Sequence, residues 1–67
     1  MAAEEDRALE EALGRLPEDY RRVLLWRYRE ERSFEEIGRL LEKSPNAARK
    51  LWQRAVERLR QELAGHP

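Results

Sequence analysis

The chain has 67 residues, enough for one domain, and 42% of them are charged against 40% hydrophobic, the mix of short solvated helices rather than strands. Cysteine is absent, which excludes disulfides and thiolate metal sites. The longest apolar run, Val23-Leu24-Leu25-Trp26, falls far short of the ~20 residues of a membrane span, and the acidic start does not read as a secretory signal.

The formal net charge is zero, but the charge is not evenly spread. Residues 1–20 carry seven acidic and two basic side chains, a net of −5. Residues 21–43 net +2 and residues 44–67 net +3. Local charge sets the local field, so a neutral chain with an acidic head and a basic tail can still present a basic surface.

Four helical segments follow in chain order. The first spans residues 1–15: Glu4, Glu5 and Asp6 suit a helix N-terminus, and Leu9, Ala12, Leu13 and Leu16 recur at helical spacing. The second, over 17–31, opens with Pro17 at the first helical position, where no hydrogen bond is lost. Its apolar stripe is Tyr20, Val23, Leu24 and Tyr28, with Leu25 and Trp26 on the flanks. Arg27 sits between apolar positions, where an unpaired charge is costly, and Glu36 is its expected partner.

The third segment covers 33–42. Ser33-Phe34-Glu35-Glu36 has the capping-box form, and Phe34, Ile37, Leu40 and Leu41 make its stripe. The fourth covers 44–63, with Ser44 as cap and Pro45 in the first turn. Ala48, Leu51, Trp52, Ala55, Val56, Leu59 and Leu63 fall in one arc, opposite Asn46, Arg49, Lys50, Gln53, Arg54, Glu57, Arg60 and Gln61. Residues 64–67 form a tail. A connection as short as Glu42-Lys43-Ser44 forces two helices to cross steeply, and Gly38 lies where the fourth helix passes close by. The expected fold is all-α: a small four-helix domain containing a helix-turn-helix, of the winged-helix-like superclass without a wing.

Catalysis finds no support. The one histidine, His66, is in the tail, the carboxylates are scattered over solvated faces, and a domain this small leaves no pocket for a small-molecule substrate or cofactor.

From Leu16-Pro17 to Leu63 the chain resembles region 4 of the sigma-70 family, in its extracytoplasmic-function branch. The resemblance is carried by Leu16-Pro17, by Arg21 through Tyr28, by Ser33-Phe34-Glu35-Glu36-Ile37-Gly38, by Ser44-Pro45, and by Arg54-Ala55 with Arg58-Leu59. It departs in three places. The family usually has alanine where Gly38 stands, glycine where Glu42 stands, and often basic residues where Leu51 and Val56 stand. A left-handed residue at Glu42 costs about 1 kcal/mol, which a turn of different geometry would avoid.

The resemblance implies promoter recognition, with the fourth helix in the major groove of the −35 element. On that footing Arg49 and Lys50 face guanine and Gln53 faces adenine, since those are the pairings base edges favour. Arg54, Arg58 and Ser44 hold phosphate, Asn46 does either, and Arg32, Ser33 and Lys43 clamp the flanking strand. The implied partners are promoter DNA, the β flap of the RNA polymerase core and an anti-sigma factor, in the cytoplasm at the nucleoid. A LuxR-type output domain shares the four helices, and a helical interaction module without DNA is the reading that zero charge, Leu51 and Val56 favour.

Overall fold

A computed structural model describes residues 2–65, with side chains described from Arg7. His66 and Pro67, and the side chains of Glu4, Glu5 and Asp6, lie outside the described residues. The chain forms α1 (Ala2–Gly14), α2 (Glu18–Tyr28), α3 (Phe34–Leu41) and α4 (Pro45–Ala64), with no strand among the described residues. This is the expected all-α architecture.

Helix α4 is the spine. Its 20 residues span about 30 Å, which sets the long axis of a body measuring 37 × 20 × 14 Å. Each of α1, α2 and α3 packs against it. The core is Leu13 and Leu16 from the first segment, Val23 and Leu24 from α2, Ile37 from α3, and Ala48 and Ala55 from α4. The two alanines explain how three helices approach one: small side chains at the spine let their partners' larger ones interdigitate.

Several boundaries and faces differ from the sequence reading. Pro17 is the N-cap of α2, one residue before its helical start, and its carbonyl accepts from the Arg21 N–H at 3.0 Å. Helix α2 stops at Tyr28, because Glu31 adopts a left-handed φ of 51° and the Arg32 N–H turns back to the Trp26 carbonyl at 2.9 Å. Tyr28, placed on the buried stripe by spacing, is 68% exposed. Leu40 and Leu63 are 47% and 46% exposed. Leu40 lies on the flank of the arc whose centre is Ile37, and Leu63 sits in the last turn of the long α4.

Arg27 does not pair with Glu36. Its guanidinium donates to the Arg32 carbonyl at 2.9 Å and lies over the Phe34 ring at 4.5 Å. The half-buried charge is thus met by a peptide dipole and an aromatic face in place of a carboxylate. Glu36 instead accepts from the Ser33 N–H at 3.1 Å and lies 3.6 Å from Arg32.

Candidate nucleic-acid interface

The turn between α3 and α4 decides how the outer face of α4 is presented. The Lys43 N–H donates to the Gly38 carbonyl at 2.7 Å, and the Glu42 N–H to the Arg39 carbonyl at 3.2 Å. That pair of bonds is a Schellman closure, which needs a left-handed residue between its arms. Glu42 supplies it, with φ 57° and ψ 44°. The turn thus takes the left-handed geometry rather than one that avoids it, because two satisfied carbonyls outweigh about 1 kcal/mol of backbone strain. Gly38 is buried beneath this turn: a Cβ built on it would stand 2.6 Å from the Lys43 carbonyl oxygen. The close approach is therefore to the turn's backbone, at the lead-in to α4.

Ser33 and Ser44 start the two helices in matching ways. Ser33 accepts from the Glu36 N–H at 3.1 Å, and the Glu36 carboxylate reaches back to Ser33, completing the capping box. The Ser33 backbone N–H is the largest influence holding the Glu36 carboxyl below its ordinary range; desolvation, the next largest, opposes it, and the Ser33 hydroxyl, Arg32 and Arg39 lower it further. Ser44 accepts from the Ala47 N–H at 3.1 Å, which leaves its own O–H free to donate outward. Pro45 has no N–H, and the Asn46 N–H has no acceptor within the helix by its position, so the start of α4 points one backbone donor and one hydroxyl at solvent.

All nine residues read from the sequence as contacts are exposed: Ser33, Lys43, Ser44, Asn46, Arg49, Lys50, Gln53, Arg54 and Arg58. Lys43, Ser44, Asn46, Arg49, Lys50 and Gln53 gather on the turn and the first two and a half turns of α4. Arg54 and Arg58 lie to one side of that line, by roughly 80–120° at 100° per residue. From Asn46 to Arg54 no acidic side chain interrupts the face. Ser33 stands apart, since both its N–H and its hydroxyl are engaged by Glu36. Arg32 is engaged too, 2.8 Å from Glu30.

Glu57, read from the sequence on the outward face, is exposed on the same line as Gln53, one turn further on. One feature went unread in the sequence: the Arg49 guanidinium lies over the Phe34 ring at 5.5 Å. Phe34 also meets Trp52 edge to face, with centroids 5.7 Å apart. Trp52 is half-buried by this contact, as its place in the apolar arc implied. Leu51 and Val56 are likewise half-buried against the core.

Away from this face, and contrary to the expectation that so small a domain leaves no pocket, an apolar groove of about 330 Å³ opens between α1, α2 and α4, where α1 and α2 each pack more on α4 than on each other. Leu9, Leu25, Tyr28, Val56 and Leu59 line it, and Arg29, paired with Glu10 of α1, stands at its edge.

A pair of packed helices joined by a tight turn, the second carrying an exposed polar and basic face, defines the helix-turn-helix class of DNA-binding domains. The profile of the family described as sigma-70, region 4, matches residues 6–59, and the chain belongs to that family. Comparison with individual curated proteins and with solved structures found no match. Region 4 is a DNA-binding part of sigma factors that serves promoter recognition in transcription initiation, together with RNA polymerase, and it is not a catalytic domain. No described helix is long and apolar enough to cross a membrane.

Proposed function

We propose that this domain reads the promoter −35 element for RNA polymerase as region 4 of a sigma factor of the extracytoplasmic-function branch, acting in the cytoplasm. The reading rests most on the acid-free exposed face from Asn46 to Arg54, beside a helix start with outward donors. B-DNA's major groove is about 12 Å wide and admits an α-helix. Asn46 to Gln53 spans about 10 Å of axis, enough for three or four base pairs.

In this reading Arg49 and Lys50 take guanine edges and Gln53 takes adenine, while Arg54 and Arg58 hold phosphates on one flank. The Ser44 hydroxyl, the Asn46 N–H and Lys43 hold phosphate at the other. Glu57 marks the end of the contact, since a carboxylate on the same line repels the backbone beyond Gln53. Ser33 acts through the capping box that orients α3 more than by touching the strand.

The apolar groove between α1, α2 and α4 supports a protein partner, which we assign to the β flap of the polymerase, and which an anti-sigma factor would compete to cover. Few phosphate contacts make for weak binding alone, and tethering to polymerase supplies the effective concentration that affinity lacks.

The test is a titration of the isotope-labelled domain with a duplex at low salt, followed by backbone amide shifts. Changes concentrated from Lys43 to Arg54 support the reading. A silent α4, with shifts confined to the groove on addition of the flap, would make the domain a protein-docking piece.

A further inference from the structure

The Phe34 ring, at the first position of α3, is where three side chains from two other helices meet. Arg27 lies over it at 4.5 Å, Arg49 at 5.5 Å, and Trp52 meets it edge to face. Arg27 has a second anchor in the Arg32 carbonyl. For the exposed Arg49, the ring is the contact found among the described residues.

From this geometry we infer that Phe34 is a positioning residue for sequence reading, holding the Arg49 guanidinium in the direction from which it meets one guanine. The inference rests on the proposed major-groove placement of α4. A free arginine samples many rotamers, all but one of which are lost when its fork engages a base bidentately. An aromatic face that restrains the group beforehand leaves less to lose. A phosphate accepts an arginine from many directions, whereas a guanine edge with its O6 and N7 accepts it from one. Restraint at Phe34 therefore acts on discrimination at a single base pair rather than on overall affinity. Arg27, tied to the Arg32 carbonyl, lies over the same ring.

The chain contains one phenylalanine, so biosynthetic incorporation of fluorinated phenylalanine alters this ring alone. Fluorine draws electron density from the ring face and weakens its hold on a cation while nearly preserving shape; the Arg27 contact weakens with it, which lowers stability but leaves the preference at one base pair to report on Arg49. The probe is a pool of duplexes with a randomised core. Selection on the wild-type chain is followed by affinities for the enriched site and its single-base variants.

We expect R49A to lose a five- to hundredfold preference at one base pair. F34L should relax the same base pair about two- to fivefold, with other positions and the salt dependence unchanged. F34Y should keep the preference, and successive fluorines should erode it in steps. An F34L or fluorinated chain with the wild-type preference at the Arg49 base pair overturns the role of Phe34, as does an equal loss at every position. A wild-type chain that enriches no motif overturns the major-groove reading itself, and this inference with it.

Discussion

Gly38 offers the sharpest test of how the turn holds the two helices. Replacing it with alanine adds a methyl group 2.6 Å from the Lys43 carbonyl oxygen, 3.1 Å from the Ser44 carbonyl carbon and 3.2 Å from the Ser44 oxygen. All three are backbone atoms, so no rotamer change relieves them. Alanine in a helix interior is worth about 1 kcal/mol over glycine, whereas overpacking a fitted site costs about 1–3 kcal/mol. The net expectation for G38A is a loss of about 1 kcal/mol, or about 4–8 °C in Tm for a domain of this size. The Glu42 backbone tempers it. Glycine there releases left-handed strain of about 1 kcal/mol, partly offset by a more flexible unfolded chain, so E42G should gain about 0.5 kcal/mol. A glycine turn also yields more readily to the methyl at position 38. The G38A/E42G chain should therefore be more stable than the sum of the single effects, by about 0.5 kcal/mol or more. Thermal and urea unfolding of the four chains, followed by helical circular dichroism, reads the cycle. A G38A chain as stable as the parent would refute the close approach, and strict additivity would refute the coupling.

Other expectations follow from named contacts. R27M should cost about 1–2 kcal/mol, because it strips the Arg32 carbonyl of its donor and Phe34 of the nearer of its two cations, whereas E36Q should leave Arg27 undisturbed; a double-mutant cycle measuring strong Arg27–Glu36 coupling would contradict this. Glu36 has its carboxyl held low in the folded state, so its contribution to stability is present above the ordinary carboxylate range and is lost as pH falls through the lowered folded value. E36Q should flatten the acid limb of a stability–pH profile, with Ser33 still capped by a neutral acceptor; an unchanged limb would show that the capping box carries no charge effect. With about four phosphates neutralised, the logarithm of DNA affinity should fall against log salt with a slope near −3.6, and R54Q should reduce it by about 0.9. A slope near zero in a salt series would remove the phosphate contacts. S44A should lower stability by about 1 kcal/mol through the lost cap on Ala47, read by urea unfolding, and no change would mean that α4 holds its start by other means.

The parts of this protein legible in its sequence are those governed by neighbours three or four residues apart. Ser33 with Glu36, Ser44 with Ala47 and the exposed line Asn46, Arg49, Lys50 and Gln53 are all set within one or two helical turns, so residue types and spacing suffice to find them. The apolar arc of α4 was legible for the same reason, apart from its last residue, Leu63. What the tertiary structure decided lies where two segments meet. Helical spacing put Tyr28 on a buried stripe, but burial requires a partner element at that height, and α2 ends there beside an open groove. Spacing also offered Arg27 a carboxylate, whereas a left-handed Glu31 swings the chain so that the Arg32 carbonyl and the Phe34 ring arrive first. Glu42 shows the same hierarchy: its local preference disfavours the left-handed turn, and the packing of α4 over Gly38, with two carbonyls to satisfy, overrides it. Local chemistry chose the helices and their outward faces. Because side chains distant in sequence compete for the same few polar and aromatic partners, only the folded chain could choose which of them Arg27 and Arg49 would find.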